Sequence, residues 1–327
     1  MDITPYKLDD DTFWASSDRG EDRMGRELVG EYRGILVDAP RRVPLDRRAT
    51  VPAGIYHLGA IRELAAVRVD RFGTLTAMDV TRNRLYAVGG GALVRDTDPL
   101  PRRKVDPARL PEGDMGTIHG VELRELLGLP WEPARYLFTV LLRGEVSNRA
   151  AVELVAAPGS AAAGGQADEN AGSVWPLPGV PLPAYRRQAE SPPIPPEPGV
   201  LFAPQRLVDL DRQSHWPLYG AFRLAPLAGE TVKPGWRDPY YDARPAEPKP
   251  VAVVGVTLLV ASAEDGTPST FAVRVPAWSR AAGAVTGYFN LDLFDLPGIP
   301  RAPGTYFISA FSGETLAGPL ASALVRL

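Results

Sequence analysis

A chain of 327 residues and 35.3 kDa without a single cysteine excludes disulfides, thiolate metal sites, iron–sulfur clusters and a cysteine nucleophile, and it is long enough for two ordinary cores. Its 36 basic residues are dispersed among 39 acidic ones for a net charge of −3, so no cationic face is on offer for phosphate neutralisation and nucleic acid is not an expected partner. The longest apolar run, Val251 to Ala261, is far short of the roughly 20 residues a membrane span needs.

Residues 1–29 read as a polar segment with neither the basic start nor the apolar stretch of a secretory signal, which makes a cytoplasmic location the default expectation. Asp9-Asp10-Asp11 lacks the glycine turn and bidentate glutamate of a calcium loop and reads as acidic tail. Residues 30–157 read as a first β-sandwich. Within it Val121-Glu122-Leu123-Arg124 alternates apolar and polar with period two, and Tyr136 to Leu142, then Arg143-Gly144-Glu145, then Ala150 to Val155 reads as a hairpin. Only Leu123 to Leu129 has the composition for a short helical turn, and the alternation argues against it. Gly89-Gly90-Gly91 is followed by no lysine–serine pair, so it is a loop between strands rather than a phosphate cradle. Arg102-Arg103-Lys104, set among prolines, is a solvated loop.

Residues 158–198 form an Ala/Gly- and Pro-rich linker, flexible in its first part and extended polyproline in its second, that cannot bury a core. Trp175, Leu177 and Val180 raise the prospect that its proline-rich part lies against a domain. Residues 199–327 read as a second sandwich that repeats the first. At one constant spacing Gly34-Ile35-Leu36-Val37 faces Gly199-Val200-Leu201-Phe202, Leu45-Asp46-Arg47 faces Leu210-Asp211-Arg212, and Pro52 faces Pro217. One inserted residue at Leu218 or Tyr219 then sets Gly54 on Gly220. At a second spacing Gly128, Pro130, Pro133 and Tyr136 fall on Gly298, Pro300, Pro303 and Tyr306, and after a single deletion Gly144-Glu145 meets Gly313-Glu314. This is the pattern of an internal duplication.

The run Pro303-Gly304-Thr305-Tyr306-Phe307-Ile308 resembles the tyrosine corner of an immunoglobulin-like sandwich, with Tyr136 in that place in the first copy. The strand containing Ser147-Asn148 is similar to the last strand of fibronectin-type modules. The resemblance implies an all-β fold of two immunoglobulin/fibronectin-like sandwiches and no particular activity.

Catalytic templates fail on inventory. The three histidines, His57, His119 and His215, have no histidine or cysteine neighbour at metal-ligand spacing, and the plain reading gives them surface or turn roles. A copper site assembled from all three is the alternative. No Gly-x-Ser-x-Gly elbow occurs, and no cofactor or catalytic residue is assigned. Attention goes instead to what the copies do not share. The second copy carries an insertion at 226–250 in which Trp236, Arg237, Asp238, Tyr240, Tyr241, Asp242 and Arg244 crowd a proline-stiffened loop. Aromatics and arginines of this kind are enriched in protein interfaces and in sugar-stacking sites; packing back onto the sandwich is the competing role. The expected function is therefore non-catalytic binding or assembly with a protein partner, self-association included. A carbohydrate-binding or sugar-processing module is the alternative, and an enzyme of unrecognised type comes third.

Overall fold

The computed structural model describes residues 33–45, 50–93, 110–156, 192–229, 251–281 and 283–327. The chain is all-β, and its α-helices among the described residues are short: Ile61–Ala66, Val69–Phe72 and Leu123–Leu127. It divides into two compact units.

The first unit contains β1 (Gly34–Asp38), β2 (Arg42–Pro44), β3 (Pro52–Ala60), β4 (Gly73–Asp79), β5 (Arg84–Gly89), β6 (Asp114–Glu122), β7 (Ala134–Leu142), β8 (Glu145–Val146) and β9 (Ala150–Val155). One sheet has the order β1-β3-β6 and the other β2-β9-β7-β4-β5, with β8 on β7. Every pairing is antiparallel except β2 with β9. Alternate residues of the two sheets fill one core: Ile35, Val37, Ala53 and Ile55 from the first, Leu75, Ala77, Tyr136, Phe138, Val140, Val152 and Leu154 from the second. Asn148 ties the sheets together at their margin. Its Oδ1 accepts from Val37 N at 2.7 Å and its Nδ2 donates to Val37 O at 2.8 Å, so a side-chain amide takes the place of a strand partner.

The second unit contains β10 (Gly199–Pro204), β11 (Leu207–Asp209), β12 (Pro217–Leu224), β13 (Ala252–Ser262), β14 (Pro268–Ala277), β15 (Ser279–Ala281), β16 (Ala284–Asp292), β17 (Gly304–Ser312) and β18 (Thr315–Val325). Its sheets run β10-β12-β16-β15 and β11-β18-β17-β13-β14, and they enclose a core rich in Val and Phe. Two strand glycines exist here to admit rings. Gly220 is paired with Phe289 and Gly287 with Phe222. A Cβ on Gly220 would come 2.0 Å from the Phe289 ring, and one on Gly287 2.8 Å from that of Phe222. Next to the first strand of this unit, Pro195 is buried and its carbonyl accepts from Arg223 Nε at 2.9 Å, so the described end of the proline-rich segment lies against β12.

The ladders of the two units run in step without gaps. Gly34 pairs with Leu58 and Gly199 with Arg223; Pro52 pairs with Glu122 and Pro217 with Asp292; Leu142 pairs with Glu145 and Ser312 with Thr315. Neither the inserted residue at Leu218 or Tyr219 nor the deletion before Gly313 is needed. The ladder counterpart of Gly54 is Tyr219, and that of Arg143 is Gly313. Backbone bonds outside the ladders also recur in place. Leu45 N donates to Val155 O at 3.0 Å and Leu210 N to Val325 O at 2.8 Å; Val80 N donates to Arg135 O and Ala263 N to Thr305 O, both at 2.9 Å.

A helical turn does follow Glu122 despite the alternation, and the reason is a cap. The strand stops at Glu122, whose carboxylate accepts from Arg124 N at 3.1 Å and from Glu125 N at 2.6 Å, and the helix Leu123–Leu127 follows. Gly128 closes it in the left-handed region at φ 64. Gly90 opens a 3-10 turn, Gly90–Leu93, where a Cβ would meet Val69 O at 2.1 Å; close backbone packing accounts for that glycine.

Candidate functional site

All seven residues singled out in the insertion, Trp236, Arg237, Asp238, Tyr240, Tyr241, Asp242 and Arg244, lie outside the described residues, as does Arg102-Arg103-Lys104. The polar groups that the structure does place gather at three kinds of location.

The first is a carboxylate lock at the end of β6 and β16. Beyond capping its helix, Glu122 accepts from Val51 N at 2.6 Å, and Leu123 N donates to Val51 O at 2.9 Å. Asp292 does the same work in the second unit, accepting from Phe294 N at 3.0 Å and Trp216 N at 2.8 Å, while Leu293 N donates to Trp216 O at 2.9 Å. The second unit adds His215, whose Nδ1 lies 2.5 Å from Asp292 Oδ2, and Asp295, pushed up by burial and by the neighbouring Asp292 charge. A histidine oriented by a buried carboxylate resembles half of a catalytic dyad. The second unit's carboxylate, however, is already committed to holding backbone, as it is in the first.

The second location is the tyrosine corner. Tyr306 is buried and donates to Ala302 O at 3.1 Å, as that corner requires, and its ring packs 5.7 Å from that of Trp216. Tyr136 is equally buried, yet its hydroxyl has no partner, and burial together with the nearby Asp79 charge pushes its ionisation up. Polar side chains take over this corner. Asp79 Oδ1 accepts from Thr81 N and Arg82 N, both at 3.0 Å; Asp79 Oδ2 accepts from Arg82 at 2.8 Å; and Arg82 reaches Glu132 at 3.1 Å.

The third location is the tip of the first unit formed by the β3–β4 connection and the β7–β8 turn. Here Arg71 and Arg143 stack on the ring of Phe72, with guanidinium carbons 4.9 and 4.7 Å from its centre. Both arginines are exposed and the ring is half-buried. Nothing along the chain marks them, because 71 and 143 are distant in sequence, neither lies in a motif, and the alignment by one deletion sets Gly144 rather than Arg143 on Gly313.

The histidines divide. His57 is buried in β3, not at a surface or turn, and burial followed by the charge of His119 lowers its pKa. The β3–β6 register sets Ile55 opposite His119 and His57 opposite Thr117, so the two imidazoles are diagonal neighbours. His215 belongs to the second unit, in the lock with Asp292. Among the described residues no group of three or more His, Cys, Asp or Glu side chains is arranged to hold a metal ion. Burial also drives Asp38, at the end of β1, up to about 7, against the lowering effects of the Ala39 backbone and Arg41.

No family model matches the chain, and no curated protein does. Among solved structures it is similar to the Yersinia pseudotuberculosis adhesin InvE, at 7% identity over 89% of this chain and 58% of that one, with a TM-score of 0.17. It is also similar to the chicken interferon gamma receptor alpha chain, at 9% identity over 90% of this chain and 98% of that one, again with a TM-score of 0.17. The chain thus spans 58% of the length of the adhesin. No helix among the described residues is long and apolar enough to cross a membrane.

Proposed function

We propose that this is a non-catalytic binding or assembly protein, an internally duplicated immunoglobulin/fibronectin-like sandwich joined by a Pro/Ala/Gly-rich linker, that presents connecting loops to a protein partner. The duplication is supported by ladders that share one register and by backbone bonds, such as Leu45 to Val155 and Leu210 to Val325, that recur at matching places. The observation that carries the binding reading is the disposition of polar groups. Buried carboxylates hold backbone, whereas exposed arginines stacked on the half-buried ring of Phe72 sit on connections, where recognition surfaces are built on rigid sandwiches. The insertion with Trp236, Arg237, Asp238, Tyr240, Tyr241, Asp242 and Arg244 is proposed as a further contact surface on the same ground of composition.

The test is to cross-link and capture partners on the full chain, reconstitute any complex from purified components, and probe a glycan array in parallel. A stoichiometric complex with a protein, or a stable homo-oligomer, is the expected result. Glycan binding that Trp236→Ala abolishes, with no protein complex formed, would replace this reading with the carbohydrate-binding one.

A further inference from the structure

Several arginines of the first unit have an acid to pair with: Arg33 with Asp114, Arg68 with Asp70, Arg82 with Asp79 and Glu132. Arg71 and Arg143 do not. Among the described residues neither guanidinium meets a carboxylate, and the recorded partner of each is the ring of Phe72. A ring face orients a guanidinium without using its N–H groups, so both forks keep their donors for something outside the chain. Sharing one ring also keeps the two cations within about 10 Å of each other, close enough for one acidic segment to reach both.

The backbone points the same way. Arg143 sits at φ 53, in the left-handed region where a side chain is strained, and its ladder counterpart Gly313 adopts the same φ 53 without that penalty. The matching turn of the second unit closes with Gly313 at this place, so turn geometry alone does not require an arginine. An exposed residue held in a costly conformation, and aimed at a ring that already holds a second unpaired cation, calls for a role beyond folding.

We propose that Arg71, Phe72 and Arg143 form a docking site for a carboxylate-rich segment of a protein partner, the aromatic ring supplying apolar contact and the two guanidinium forks bidentate recognition of acidic side chains. This rests on the reading of the chain as a binding protein and names the chemistry of what it binds. The test measures the anisotropy of fluorescein-labelled octaglutamate on the full-length protein at low salt. Wild type should bind, the double change Arg71→Ala with Arg143→Ala should weaken binding by about ten-fold or more, and raising the salt should weaken it further. Arg143→Gly should lose affinity while melting no lower than wild type, which separates recognition from folding. Arg84→Ala removes another stacked arginine, over Tyr86, and should leave affinity unchanged. Absence of octaglutamate binding, equal binding by the double variant, or an equal loss in Arg84→Ala overturns the site. Partner capture by the same variants tells the two claims apart. Capture that survives the double change removes this site but leaves the binding reading, whereas no capture even by wild type removes that reading itself.

Discussion

The same corner is built twice in this molecule and secured by different means. In the second unit Tyr306 donates to a carbonyl four residues upstream, and the aromatic cluster of Trp216, Phe294 and Tyr306 fills the space beneath it. In the first unit Val51 stands where Trp216 does, Tyr136 bonds to nothing, and Asp79, Arg82 and Glu132 carry the polar work. A sandwich corner therefore has to bury an aromatic ring, but it need not bond its hydroxyl. What is shared is packing and the carboxylate lock; what varies is how the leftover polar capacity is satisfied.

The sharpest way to break this comparison is at the residue that differs most in size. Trp216 is fully buried and its Nε1–H donates to Ser322 Oγ at 2.9 Å, so Trp216→Ala should destabilise the second unit by about 3 to 5 kcal/mol in urea unfolding. A loss below about 1 kcal/mol would mean that the aromatic cluster is not what holds this corner.

Next in size is a pair of opposed pH dependences in the first unit. The folded pKa of Asp38 is raised above its unfolded value, so its contribution is complete below pH about 4 and is lost as the pH rises through about 7. His57 works in the opposite sense. Its folded pKa is lowered, so stability is present above about 6.5 and declines as the pH falls through the folded value. Asp38→Asn should leave a profile that only rises between pH 4 and 7, and His57→Gln one that only falls; two variants with parallel profiles would refute both assignments. The ladder counterpart of Asp38 is Ala203, so the second unit should show no such pair of slopes.

Smaller again is the hydroxyl itself. Tyr306→Phe strands an acceptor and should cost about 1 to 2 kcal/mol, whereas Tyr136→Phe removes a group without a partner and should cost nothing or stabilise slightly. Equal losses at both positions would show that the two corners are bonded alike. The smallest effect is expected at the hairpin tips: Arg143→Gly should gain up to about 1 kcal/mol and Gly313→Arg should lose a similar amount, read as opposite shifts in Tm.

Much of this architecture could be read from local pattern. Period-two alternation marked the strands, and the matched Gly128/Gly298, Pro133/Pro303 and Tyr136/Tyr306 located the corners, because strand formation and turn chemistry depend on neighbours a few residues away. The helix after Glu122 was missed because its cap is a side chain bonding forward to backbone N–H groups, a choice that alternation does not record. The gapless register was missed for a related reason: Gly54 and Gly220 look alike as letters, whereas the ladders place Gly54 opposite Gly120 and Gly220 opposite the ring of Phe289.

Taken alone, then, the sequence determined an all-β chain with a recurring hairpin and corner and without cysteine chemistry, since composition and short-range periodicity are enough for that. Tertiary structure alone decided which polar groups meet: Asp292 with His215, Asp79 with Arg82 and Glu132, Arg71 and Arg143 on Phe72. Residues brought together by β-sheet folding are separated in the chain by loops of no fixed length. Their juxtaposition is a property of the closed sandwich and of no spacing that can be read along the chain.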